Sequence, residues 1–337
     1  MLQGHQSWVF SNRPHIISTG TVVGPFEANG PLALDFDLLH EDMWLEQDSF
    51  EKAERRILEQ ACQKSLSKAG LRKEDIQFFL SGDLVNQITP SSFAARTLSA
   101  PYIGLFGACS TSMEALALGS LIIDSGFGHT VLCAAVSHNA TVEKQFRYPT
   151  EYGGQKPPTA QWTVTGAGAA LLSSQGTGIH TTSATIGRII DMGISDPFNM
   201  GSAMAPAAVD TITAHFRDLG VSFQDYDLVI TGDLGRVGHT IARDLLIKHG
   251  FSVPDDRFSD CGILIFSENQ PAFSGGSGCG CSAVVTYGHI INRMKKGELN
   301  RVLVVATGAL LSPLSYQQKD TIPCIAHAVS LEINHQE

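Results

Sequence analysis

No stretch of this 337-residue chain stays apolar long enough to cross a bilayer: runs such as 262–266 and 302–306 fall far short of the ~18 residues required. Any membrane association therefore has to pass through a partner. A basic surplus is missing as well. The formal charge is −10 and no run of Lys and Arg exceeds a pair such as Lys295-Lys296, which argues against a general nucleic-acid or polyanion binder. Low-complexity segments are absent, and Met1-Leu2-Gln3-Gly4-His5-Gln6 lacks the features of a cleavable signal. With seven cysteines in so long a chain, this predicts a reducing compartment, free thiols and no disulfide. Cys279-x-Cys281 has too few neighbouring ligands for zinc, so no metal is expected. The glycine-rich run 165–170 lacks the spacing of a dinucleotide fingerprint.

What the chain does contain is enough apolar material for a large core, 43% of its residues, and 33 glycines, somewhat above the usual ~7% share. One glycine-bounded turn stands out. Gly107-Ala108-Cys109-Ser110-Thr111-Ser112 joins a strand-like run, 102–106, to an amphipathic helical run, 113–123. Unpaired N–H groups and the positive end of the dipole at a helix start ease ionisation of a thiol or face an anion. Cys109 is then a nucleophile or a ligand contact. The other reading is a small buried residue at a tight strand-to-helix turn, common for free cysteine.

A repeat organises the rest. Ala69-Gly70-Leu71 through Leu80-Ser81-Gly82-Asp83 is echoed 150 positions later by Leu219-Gly220-Val221 through Ile230-Thr231-Gly232-Asp233, each reading as helix end, turn and strand. Cys109-Ser110 and the strand 131–137 are matched in turn by Cys281-Ser282 and 302–308. Two copies of one unit follow, divided as residues 1–185 and 186–337. The near-continuous apolar strands predict an α/β fold of parallel sheets buried on both faces by crossover helices.

Residues 14–24 read as a first strand, 25–44 as an irregular acidic connection and 51–68 as a charged amphipathic helix. A helix start is expected at Pro90-Ser91-Ser92, with Phe93, Ala94, Thr97 and Leu98 as its buried face. Residues 138–162 break the pattern. They are polar yet rich in aromatics, Gly and Pro, and the second copy has nothing comparable after Gly308. In open α/β sheets ligands bind outside the carboxyl ends of the strands, which makes this an ordered functional loop capping a pocket, with a purely structural cap as the alternative. Met200 and Met204, among small residues, read as core.

The Gly-Leu-x-x-x-Asp-Ile segment, the Ala-Cys-Ser at a helix start, the strand ending near His138 and Thr165-Gly166-Ala167-Gly168-Ala169-Ala170-Leu171-Leu172 together resemble the thiolase and β-ketoacyl synthase superfamily over nearly the whole chain. That resemblance implies a five-layered αβαβα fold built from two pseudo-dyad-related repeats, with Cys109 at the position of the acyl-accepting nucleophile. Acyl transfer there also needs a positioned His, or a His and Asn pair. The corresponding positions hold Gly232 and Ser277, and neither can act as a base. His138 and His239 are the remaining candidates.

Stretches 106–114, 137–141, 143–157, 201–206 and 306–313 more closely resemble a sporulation branch of the superfamily found in endospore formers. For it the resemblance implies binding of dipicolinic acid, free or as its calcium chelate, within a complex of membrane proteins at the spore inner membrane. A flat ring with two carboxylates needs separated donors and an apolar or aromatic wall. The expected ligand contacts are Cys109, His138, Asn139, Arg147, Tyr148, Gln155, Gln161 and Gly278. Phe146 and Trp162 are further candidates to face the ring, and Lys144 to pair with a carboxylate. Arg147 has a competing use in a surface ion pair with Glu143 or Glu151. Two functions stay open: a non-catalytic dipicolinate-binding subunit without a cofactor, and an acyltransferase using Cys109 on a coenzyme A thioester. The fold also leaves a homodimer open.

Overall fold

The computed structural model describes residues 1–146 and 156–333, and in it the sequence echo is a duplication of topology. Apart from other short strands of two or three residues, five strands come first: β1 (His15–Val23), β2 (Phe78–Gly82), β3 (Tyr102–Gly104), β4 (Thr130–Ser137) and β5 (Gly166–Ser173). Five more follow: β6 (Ile179–Ile186), β7 (Leu228–Thr231), β8 (Phe258–Asp260), β9 (Arg301–Ala309) and β10 (Cys324–Ile333). The first set lies in the order β1-β5-β4-β2-β3 and the second in the equivalent order β6-β10-β9-β7-β8. In each, two antiparallel junctions are followed by two parallel ones. The sets meet at the pair His15 and His180.

One expectation changes here. The sheets are mixed rather than parallel, because an apolar run reports only that both faces are covered, and helices cover an antiparallel strand as well as a parallel one. β6 occupies the position in its set that β1 holds in the first.

The principal helices are α1 (Phe50–Ala69), α2 (Thr89–Leu98), α3 (Thr111–Asp124), α4 (Asn139–Phe146), α5 (Met200–Leu219), α6 (Gly235–Lys248) and α7 (Cys279–Val284). α1, with α2 beside it, covers the outer face of the first sheet, and α5, with α6, covers the second. α3 touches strands of both sheets and packs beside α7. The layers therefore run αβαβα. A helix in the middle layer has no solvent face, which is why α3 buries Met113, Ala115, Leu116, Ala117 and Ile123 around its circumference. α1 instead buries one stripe, Ala53, Ile57, Leu58, Ala61 and Leu66, and its N-terminus is capped by Ser49, whose side chain accepts from the Lys52 N–H.

Both outer helices stop for the same reason. Gly70 and Gly220 adopt left-handed φ values of 68° and 67°, and the following residues, Leu71 and Val221, donate back to Leu66 and Phe216. Each chain then makes a short turn in which Asp75 or Asp225 accepts the N–H of Arg72 or Ser222 at 2.8 Å. α2 starts at Pro90 as expected but turns its predicted face. Ala94 and Leu98 are buried, whereas Phe93 and Thr97 are exposed, Phe93 lying beneath the Arg96 guanidinium at 4.7 Å. None of the described helices is long and apolar enough to cross a membrane.

Candidate functional site

The carboxyl ends of β2, β4, β7 and β9 open on the same region as the starts of α3 and α7, and Cys109 sits there. A single tight turn, Ala108–Ser110, precedes α3. It requires Ala108 at φ 49°, a left-handed conformation that costs a non-glycine residue about 1 kcal/mol. Side chains hold it. Ser110 Oγ donates to the Gly107 carbonyl at 2.6 Å, Thr111 Oγ1 donates to the Ala108 carbonyl at 2.7 Å, and the Gly107 N–H donates to Thr111 Oγ1 at 3.1 Å. Gly308 backs the turn so closely that a Cβ there would lie 2.1 Å from the Gly107 carbonyl oxygen.

The thiol does not ionise easily. Burial pushes it well above the usual cysteine range, and the Asp233 carboxyl within hydrogen-bonding reach pushes it further, against a smaller opposing effect from the Gly278 N–H. The expected help from a helix start is outweighed because Cys109 is buried, only 8% exposed. Asp233 leaves the end of β7, where Thr307 Oγ1 donates to one carboxyl oxygen at 2.6 Å and the Gly278 N–H to the other at 3.1 Å. Burial raises this carboxyl to about 7 despite those hydrogen bonds. The groups that set the ionisation of Cys109 thus include an acid and no imidazole.

Gly232, one residue earlier, leaves no room for a substitute. A Cβ there would lie 2.9 Å from Ala306 Cα and 3.2 Å from Ser282 Cβ. Asp233 was not among the residues expected at the site. The available signal was the repeat itself, whose copies end in Gly82-Asp83 and Gly232-Asp233. In the first copy Asp83 accepts the N–H groups of Val85 and Ser91, at 2.8 and 2.9 Å, and fixes the approach to α2. In the second copy the equivalent carboxyl turns to the thiol.

Two neighbouring spaces lie on this side of the fold, and Cys109 lines the inner one. The inner chamber, about 30 Å³, is lined by Cys109, Thr163, Ser277, Met200, Val142 and Ala309. Leu84, Phe106, Phe146 and Leu311 border both this chamber and an outer basin of about 290 Å³, and so form a collar between them. The basin is completed by Val85, Asn86, Gln87, Ile88, Gln145 and Ser312. No charged side chain lines either space among the described residues. Gln145 braces the wall by accepting the Asn86 N–H at 2.9 Å and donating to the Leu84 carbonyl at 2.9 Å.

The sequence-derived contacts separate into groups. Cys109 and Gly278 meet at Asp233, with Gly278 at φ 98° and a Cβ there only 2.7 Å from Ser137 Oγ. His138 is buried with both ring nitrogens engaged, Nε2 with the Met43 carbonyl at 2.9 Å and Nδ1 with the Ala140 N–H at 3.2 Å, and its ring lies 5.3 Å from that of Phe50. Asn139 bonds Thr165 Oγ1 through its N–H and the Thr163 carbonyl through Nδ2. Gln161 Nε2 donates to the Asp233 carbonyl at 2.6 Å and so positions the acid rather than lining the spaces. Arg147, Tyr148 and Gln155 lie outside the described residues.

Of the further candidates, Phe146 lines both spaces. Lys144 pairs instead with Glu51 at 2.6 Å, and Trp162 packs 4.5 Å from Phe26. His239 stacks on Phe258 at 4.5 Å. Met200, read as core, lines the inner chamber, while Met204 is core. Cys279 and Cys281 donate to the Val136 and Gly232 carbonyls.

The family model for stage V sporulation protein AD (SpoVAD) matches residues 4–332. Stage V sporulation protein AD of Bacillus subtilis (strain 168) is 53% identical over 331 residues, covering 98% of each chain. Among solved structures, OleA of Xanthomonas campestris superposes with a TM-score of 0.62 at 12% identity, covering 96% of this chain and 99% of that one. Human mitochondrial 3-ketoacyl-CoA thiolase gives 0.59 at 11%, covering 96% and 100%. 3-Oxoacyl-[acyl-carrier-protein] synthase III of Aquifex aeolicus VF5 gives 0.57 at 14%, covering 95% and 99%. These structures establish the thiolase-like fold. The chain belongs to the stage V sporulation protein AD family.

Proposed function

We propose that this member of the SpoVAD family is a binding subunit without acyl-transfer chemistry. Its ligand is dipicolinic acid or the calcium chelate, held for the membrane proteins of the SpoVA complex as the compound enters the developing spore. The observation that carries this reading is the pairing of Cys109 with Asp233. A nucleophilic thiol needs a base or a cation beside it. Here burial raises the thiol and the Asp233 carboxyl raises it further, no cation among the groups acting on it stabilises a thiolate, and Gly232 has no room for an imidazole. The chamber at the sulfur, about 30 Å³, is far narrower than the basin outside it, about 290 Å³.

The lining suits a planar ligand whose charge is neutralised. Phe106 and Phe146 supply aromatic wall, and the polar groups around them are hydroxyls and amides. A free dianion would lose hydration on entering without gaining a cation among the described residues, whereas a calcium chelate or the protonated acid avoids that cost. The spore inner membrane would be reached through the partners. Calorimetry on the purified protein with dipicolinate, with and without calcium, tests the reading. Saturable heat supports it, and its absence from the folded protein under both conditions refutes it.

The acyltransferase reading keeps one supporting observation, a cysteine at the inner end of a cavity in a thiolase-like fold. Intact-mass measurement after incubation with a panel of acyl-coenzyme A donors decides it. An adduct on the wild type that is absent from Cys109→Ala favours the enzyme, and no adduct from any donor removes it.

A further inference from the structure

Thr163 Oγ1 has no hydrogen-bond partner among the described residues, although Thr163 is 1% exposed and lines the inner chamber. A buried hydroxyl in that state has given up its bonds to water and received nothing in return, so a ligand group that reaches it restores what folding removed. Ser277, 5% exposed, and the Cys109 thiol border the same chamber. At about 30 Å³, against about 290 Å³ for the outer basin, it suits a small polar group better than a ring.

Beyond the collar the pattern is repeated on a larger scale. The basin of about 290 Å³ has room for a six-membered ring, and Phe106, 48% exposed, offers it a face. Asn86 and Gln87 stand exposed at its rim. Gln87 and Ile88 are consecutive left-handed residues, at φ 56° and 46°, a conformation that Leu45 and Glu46 and several other non-glycine residues share. The cavity therefore reads polar, apolar, polar from the inside out.

Building on the dipicolinate reading, we infer that an aromatic meta-dicarboxylate is read at both ends. Its ring lies in the basin against Phe106 and Phe146. One carboxyl group passes the collar to the Thr163 and Ser277 hydroxyls, and the other stays outside at the Asn86 and Gln87 amides. Cys109 forms part of the inner wall and makes no bond to the ligand. The site selects for the second carboxyl group, because a monocarboxylate can satisfy only one end.

Calorimetry on the full chain compares dipicolinate with pyridine-2-carboxylate, each with and without calcium. The wild type is expected to bind the monocarboxylate at least tenfold more weakly, the equivalent of about one lost hydrogen bond. Thr163→Val, which keeps the side-chain shape, should weaken dipicolinate about tenfold and erase most of the preference between the two ligands. The double substitution Asn86→Ala with Gln87→Ala, at exposed positions, should do the same from the outer end. If Thr163→Val does not fold, Ala309→Val, which narrows the inner chamber, takes its place. Wild-type dipicolinate affinity in both the inner and outer variants overturns the placement and leaves the dipicolinate reading intact. No saturable heat with the wild type under either condition overturns that reading, and the placement falls with it.

Discussion

The thiol of Cys109 and the carboxyl of Asp233 face each other inside the fold, and the effect is one-sided: the carboxyl opposes ionisation of the thiol, whereas the thiol, as a hydrogen-bond donor, favours ionisation of the carboxyl. Burial raises both, the thiol well above its ordinary range and the carboxyl to about 7, and the negative charge that Asp233 acquires above that pH is a further obstacle to a thiolate. An imidazolium beside the sulfur would instead stabilise the thiolate.

Alkylation measures this directly. At pH 8 the wild-type Cys109 should react slowly with iodoacetamide. Asp233→Asn, which removes the negative charge while keeping the shape, should raise the rate about tenfold or more. Peptide mapping separates Cys109 from the other six cysteines, all of which are buried and free. Equal rates in the two proteins would show that the carboxyl does not control the thiol.

The same carboxyl leaves a signature in stability. A folded value of about 7 against an ordinary 3.8 means that the native state binds the proton more tightly than the unfolded chain. The stability it confers is present below pH 4 and is lost as pH rises towards 7. Asp233→Asn does not titrate. Relative to wild type it should gain about 2–3 kcal/mol between pH 5 and pH 8, an upper estimate for two pH units of linkage. Urea unfolding of both proteins at the two pH values checks it, and a constant difference would place the native value outside this window.

Restoring the imidazole should not restore an enzyme. Gly232→His puts side-chain atoms where Ala306 Cα and Ser282 Cβ already lie, at 2.9 and 3.2 Å from the new Cβ. Overpacking of this kind costs about 1–3 kcal/mol and more for so large a side chain. The variant should melt well below wild type and form no acyl adduct by intact mass. A stable variant that does form one would show that an imidazole at this position is enough to make Cys109 accept an acyl group.

α4 depends on a buried pair for its seat. Thr141 Oγ1 donates to Glu54 Oε2 at 2.7 Å, and burial holds that carboxyl well above its usual range, with its other oxygen unpartnered. Thr141→Val leaves the acid with no donor and should cost about 1–3 kcal/mol by thermal or urea unfolding. Val142 and Phe146 of the same helix line the cavities, so ligand affinity should fall with stability. Loss of neither would mean that α4 is held by other contacts.

Where local conformation decided an element, the residues announced it. Gly70 and Gly220 mark helix ends because a left-handed residue is required there, and a serine before α1 marks its start. Strand direction was not legible, since an apolar run is the same in a parallel and an antiparallel neighbour. Phe93 was misplaced because helical periodicity predicts a stripe without saying which side meets the sheet. His138, Asn139 and Gln161 were expected as ligand donors because polar residues in a loop usually face water; the His138 Nε2, Asn139 Nδ2 and Gln161 Nε2 atoms bond backbone carbonyls, while Gln161 Oε1 has no partner among the described residues.

The sequence by itself determined the duplication, the α/β class and the turn that presents Cys109, which follow from residue type and order along the chain; the lack of a base at Gly232 was read through the family resemblance. Only the tertiary structure decided that Asp233 meets the thiol, that a collar of Leu84, Phe106, Phe146 and Leu311 divides the cavity, and that Thr163 is left without a partner. Those are encounters between segments as far apart as residues 84 and 311, and they depend on how two sheets stack around a buried helix rather than on any local preference of the chain.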